Sequence, residues 1–235
     1  MAENCGLLIP SRKEIGTFRR KIIFWHKKNG RLYPWRKEKD PFKVLVAEMM
    51  LRRTRADQVV PVYEQFCRKF PNVETLARAN QEAVEKILHP LGLKWRVPAF
   101  PMMAREVVEK YHSRIPDNRE ELISLPGVGE YVAGAVLSIA YGKNEWLVDS
   151  NIVRIFKRYF GVKTSKEGRR DKHIIEMAKI YVSGKDPGRA TMGILDITAL
   201  ICKPGKPECE RCLLRINCHY ALQEGKPNWL AWHSI

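Results

Sequence analysis

The chain is 235 residues long, 45% hydrophobic and 29% charged, which excludes wholesale disorder and leaves room for a buried core without disulfide staples. Lys plus Arg outnumber Asp plus Glu by 42 to 26, giving +16 at pH 7 and a pI near 9.7, so a polyanionic partner is expected, nucleic acid before an anionic membrane surface. No apolar run approaches the roughly 20 residues of a membrane span, and residues 1–10 lack the basic-then-apolar pattern of a secretory signal, so a soluble intracellular protein is expected.

Helical signals recur along the chain. Ser11 with Glu14 makes a capping box ahead of a periodic run over 15–28 that ends before Gly30. Asp40 and Pro41 supply an N-cap and a proline at the first helical position, opening a helix through about Arg53. Runs over 56–70, 81–89 and 96–112 carry apolar residues at three- and four-residue spacing. Asp117 with Glu120 is a further capping signal. An apolar, small-residue-rich run covers 131–140, and Asp186 with Pro187 opens a helix toward Ile201. Alternating strand patterns are nearly absent. The expected fold class is all-α, with ten or more short helices.

The six cysteines do not read as a disulfide framework. Cys5 lies in the N-terminal tail, and Cys67 sits in a helical run, where a buried free thiol is expected. Cys202, Cys209, Cys212 and Cys218 crowd together as C-x6-C-x2-C-x5-C, which in a reducing compartment points to a metal or cluster. None of the six histidines has metal-binding spacing with another.

Two further segments carry chemistry. In Leu125-Pro126-Gly127-Val128-Gly129 the paired glycines allow a tight turn and close backbone approach. Amides of that turn and of the following helix would converge on a phosphate; a plain interhelical turn is the alternative. Over 41–51 the only charged side chains are Lys43 and Glu48. Val44, Leu45 and Leu51 share the face of Glu48, so its carboxyl is expected to be desolvated and raised toward general-acid use, unless it turns outward to pair with Arg52.

Taken in order, L-P-G-V-G, then Val148-Asp149-Ser150-Asn151-Ile152-Val153-Arg154, then the four cysteines resemble the helix-hairpin-helix DNA glycosylases of the endonuclease III and adenine glycosylase superfamily. The likeness runs from about Glu14 to about Tyr220. It implies two helical domains with DNA in the cleft between them. One, over 31–140, is a six-helix barrel-type domain with the hairpin motif at about 118–140. The other is discontinuous, 1–30 plus 141–235, with the cysteine loop at 202–218. The same likeness implies a [4Fe–4S] cluster on Cys202, Cys209, Cys212 and Cys218, with zinc as the rival metal. Lys203, Lys206 and Arg211 would make that loop a basic, DNA-facing element. The role of the tail over 221–235 is left open.

Asp149 matches the family's catalytic aspartate and also stands where a helix N-cap is needed. Asn151 would orient Asp149 or the attacking water. Glu48, within A-E-x-x-L, matches the acid of related enzymes. Tyr131 stands where lyases of the family carry a Schiff-base lysine, so water is the expected nucleophile and the strand should stay intact; plain packing is its other reading. Leu51-Arg52-Arg53-Thr54 together with Tyr131 looks like the thymine-DNA mismatch glycosylases. Adenine glycosylases typically show L-Q-Q-T and G-L-G-Y-Y-S where this chain has L-R-R-T and Gly92-Leu93-Lys94-Trp95-Arg96, and they carry a further C-terminal domain for which the chain looks too short. Gly127, Val128, Gly129, Arg52, Arg53, Arg55, Lys94 and Arg96 are the expected DNA contacts, by phosphate contact or by wedging into the gap of a flipped base, each cation otherwise part of a solvated face. The implied function is removal of thymine or uracil opposite guanine from double-stranded DNA by a monomeric enzyme. Removal of adenine opposite guanine or 8-oxoguanine, and a non-catalytic DNA-binding protein, are the alternatives.

Overall fold

The computed structural model describes residues 9–92 and 94–224; Cys5, Leu93 and the tail beyond 224 lie outside it. Among the described residues the regular structure is helical, with no strand. The α-helices in chain order are α1 (Arg12–Asn29), α2 (Pro41–Leu51), α3 (Ala56–Lys69) and α4 (Val73–Ala77). Then come α5 (Gln81–Leu88), α6 (Ala99–Tyr111), α7 (Arg119–Ser124) and α8 (Glu130–Ile139). The series ends with α9 (Ser150–Phe160), α10 (Lys172–Val182), α11 (Pro187–Leu200) and α12 (His219–Glu224).

Local chemistry explains most boundaries. The Ser11 and Glu14 capping box is complete, and Asp40 accepts from the Phe42 amide at 2.9 Å ahead of Pro41. The third expected cap is one residue off. Asn118, not Asp117, caps α7, its side chain accepting from the Glu121 amide at 2.9 Å. The helix expected through Arg53 stops at Leu51, since Arg53 takes φ 60°, outside the right-handed helical region. The run over 96–112 divides into a 3-10 turn, Lys94–Arg96, and α6, which starts after Pro98. Two further helices have local caps that the periodicity reading passed over, Asn72 before α4 and Asp171 before α10.

The chain divides into two compact units. Among the described residues one comprises 31–147 with 184–191, and the other 9–30, 148–183 and 192–224. Residues 141–147 and 184–191 thus group with the first unit, where the sequence reading put them in the second. The first unit packs α2 to α8 around Leu45, Val46, Met50, Phe66, Leu76, Leu88, Phe100, Met103, Leu122 and Val136, all fully buried. Helix α2 is apolar on nearly every side, as a central helix must be. The second unit buries Ile15, Phe18 and Ile22 of α1 with Phe156, Met177 and Ile197. The Phe18 ring lies 4.6 Å from that of Tyr159 and 6.0 Å from that of Phe156. Each such side chain contributes about 1.5–3 kcal/mol by leaving water.

Candidate active site and cysteine loop

In the second unit, Asp149 caps α9. Its Oδ1 accepts from the amides of Asn151 (2.9 Å) and Ile152 (2.8 Å), and its Oδ2 from Asn151 Nδ2 at 2.6 Å. The carboxylate therefore sits half-buried on the positive end of the helix. Asn151 is oriented in turn by Arg154, whose Nη1 donates to Asn151 Oδ1 at 2.8 Å. The rest of the Arg154 guanidinium donates to the carbonyls of Thr198 (3.0 Å) and Cys202 (2.9 and 3.0 Å). A continuous chain of hydrogen bonds thus joins Asp149 to the start of the cysteine loop. Arg154 stood in the sequence motif without an assigned role.

Cys202, Cys209, Cys212 and Cys218 line one pocket together with Ile155, Arg158, Tyr159, Ile201, Pro207, Leu214 and Tyr220. Burial pushes the Cys212 thiol up to about 11 and raises that of Cys218, and the neighbouring thiols add to both shifts. Among the described residues no three His, Cys, Asp or Glu side chains converge tightly enough for a single metal ion. Four thiols lining one pocket are the donor chemistry that a thiolate-bound iron–sulfur cluster uses. Most of the loop's cations are paired within the loop. Glu208 pairs with both Lys203 and Arg211, and Glu210 with Arg215, while Lys206 is exposed.

In the first unit, Glu48 is buried at 4% exposure on α2, among buried Val44, Leu45 and Met49. The side chain is turned into the interior, as its apolar helical face suggested, and not out to solvent. Tyr131 is half-buried in the first turn of α8 and packs on the core. Gly127 takes φ +80°, and a Cβ there would lie 2.8 Å from Ala99 Cβ, so both the turn and the packing require glycine. Gly129 caps α8 and has open space where its Cβ would stand. The amide of Val128, expected to face a phosphate, instead donates to Leu125 O at 3.1 Å, and its side chain is buried. The amides left to face a ligand are those of the first turn of α8, which the helix itself does not satisfy.

Arg52, Arg53, Arg55 and Lys94 are exposed. Arg52 also braces the hairpin, its Nη1 donating to Gly127 O at 3.1 Å. Arg96 is placed otherwise than expected. It is 6% exposed, and its guanidinium donates to the carbonyls of Met49 (3.2 Å) and Arg52 at the end of α2. Those carbonyls lack helical partners, which is why an arginine is buried there. Arg96 holds the arginine-bearing turn in place and has no reach to solvent phosphates.

The HhH-GPD superfamily base excision DNA repair protein family matches residues 46–175. The chain is similar to the thymine/uracil-DNA glycosylase of Pyrobaculum aerophilum, 38% identical over 219 residues that cover 91% of this chain and 95% of that protein. It is 39% identical to the thymine-DNA glycosylase of Aeropyrum pernix, over 91% of this chain and 98% of that one. The solved structure of a thermostable thymine-DNA glycosylase matches with a TM-score of 0.84 at 33% identity, covering 90% of this chain and 98% of that chain.

Proposed function

The chain belongs to the HhH-GPD superfamily of base excision DNA repair proteins, and we propose that it removes thymine or uracil opposite guanine from double-stranded DNA. It is a DNA glycosylase, an enzyme that hydrolyses N-glycosidic bonds. Likeness across nearly the whole chain to proteins named for thymine and uracil supports the choice of base. The observation that carries the chemistry is the immobilised carboxylate of Asp149, held by two backbone amides and Asn151.

The target nucleotide leaves the stack, and Asp149 places fixed negative charge beside the sugar as the glycosidic bond lengthens and cationic character develops there. Glu48, in its apolar setting, protonates the departing base. Water attacks the sugar, with Asn151 orienting Asp149 and the water. Tyr131 has no amine and forms no Schiff base, so the product is an abasic site in an intact strand. Arg52, Arg53, Arg55 and Lys94 contact phosphates or the gap in the stack, with Gly127, Gly129 and the leading amides of α8 against the backbone.

Cys202, Cys209, Cys212 and Cys218 would hold a [4Fe–4S] cluster, which when bound cross-links the loop into a rigid element. With DNA as substrate, the enzyme acts inside the cell, and it acts as a monomer. Among the described residues no helix is long and apolar enough to cross a membrane. The direct test is to quantify free thymine released from a duplex with one T·G mispair. Release by the wild type and far slower release by Asp149→Asn is expected, and equal rates for both would overturn the assignment.

A further inference from the structure

We propose that Arg158 tunes the cluster by setting the electrostatic environment of the Cys202 sulfur while pinning the cysteine loop to α9. The proposal rests on the reading that the four cysteines hold a [4Fe–4S] cluster. Arg158 lies four residues after Arg154, on the same helical face. The two arginines divide one task. Arg154 takes the Cys202 carbonyl, and Arg158 reaches past it to the sulfur, Nη1 to Sγ at 3.6 Å. The same guanidinium donates to the carbonyls of Lys203 (2.6 Å) and Gly205 (2.9 Å) and lies 4.9 Å from the ring centre of Tyr220. The carbonyl of Arg158 accepts from the Cys218 thiol at 3.4 Å, so the first and last cysteines meet at one residue.

Of the described side chains lining the cavity besides the cysteines, only Arg158 is charged; Ile155, Ile201, Pro207 and Leu214 make its wall largely apolar. One-electron reduction of a thiolate-bound cluster adds one negative charge over iron and sulfur, without making or breaking a bond. A cation and an N–H···S hydrogen bond in apolar surroundings favour the more negative state, so Arg158 holds the potential up.

The test is a redox titration of purified, iron-loaded protein, with dithionite and ferricyanide as electron donor and acceptor, followed by the cluster's spectrum. Arg158→Gln keeps donors for the loop carbonyls and removes the charge, so its potential should fall. Arg158→Lys keeps the charge without the planar fork and should fall less. Arg211→Gln, in the same loop but paired to Glu208, should match wild type. Loss of iron from both Arg158 variants, with Arg211→Gln replete, would support the pinning role. An unshifted potential in an iron-replete Arg158→Gln overturns the tuning. Iron-free wild type would overturn the cluster reading, and this inference with it.

Discussion

Asn151 grips both oxygens of the Asp149 carboxylate, its backbone amide 2.9 Å from Oδ1 and its side-chain amide 2.6 Å from Oδ2. The plane of the carboxylate is therefore set before substrate arrives. A charge fixed in advance needs no reorganisation as the transition state forms, which is what makes such groups effective.

Asp149→Asn removes that charge and should slow base release by about 10²–10³-fold. DNA affinity should hold or rise slightly, because a negative group beside phosphates is lost. The new amide also turns a donor toward Asn151 Nδ2, which Arg154 keeps from flipping, so a small drop in melting temperature is expected. Single-turnover kinetics with a binding titration check both effects.

Arg154→Met leaves Asn151 without its orienting donor and frees the carbonyls of Thr198 and Cys202. The single-turnover rate should fall by up to about 10²-fold, the scale of a slight misplacement of catalytic groups, with little change in DNA affinity. Arg154→Lys should recover only part of the rate, since a compact ammonium lacks the planar fork with which Arg154 spans Asn151, Thr198 and Cys202. An unchanged rate in the methionine variant would show that Asn151 holds Asp149 unaided.

The two hairpin glycines separate folding from binding. Gly127→Ala forces φ +80° on an L side chain and a 2.8 Å contact with Ala99, so it should destabilise the fold by more than about 1 kcal/mol. Gly129→Ala meets nothing within 4 Å and should lose only the small difference between glycine and alanine as an N-cap, while binding DNA more weakly because its methyl stands where the DNA backbone must approach. Thermal melts beside DNA titrations distinguish the two, and equal binding by Gly129→Ala would remove the hairpin from the interface.

Tyr131→Lys introduces the amine that lyase chemistry needs. The variant should yield borohydride-trapped protein–DNA adducts, and wild type should yield none. Lys143, just past α8, is already committed to Asp117 at 2.8 Å and to the Tyr141 face, which argues against it as a substitute nucleophile. Adducts from wild type would contradict the hydrolytic reading.

The sequence made visible what local chemistry decides. Ser11, Asp40 and Pro41 mark helix starts because capping acts within three or four residues, and the charge-poor run around Glu48 signals a buried helix. Asp117 misled because Asn118 with Glu121 is an equal rival one residue along. What the sequence hid was long-range. Arg154 meets Cys202 across 48 residues and Arg96 meets Met49 across 47, and no spacing rule reaches so far. Arg96 therefore read as a surface cation beside Lys94, though its charge serves helix-end carbonyls in the interior. The pairing of the basic loop residues with Glu208 and Glu210 was hidden in the same way, since it is set by the folded loop.

The most direct test of the account is to incubate the protein with duplexes carrying T·G, U·G, A·G and A·8-oxoG, then compare strand breakage with and without alkali. Breaks are expected in the T·G and U·G duplexes, in the pyrimidine-bearing strand, and only after alkali. Cleavage confined to the adenine-bearing strands, or nicking of T·G without alkali, would contradict it.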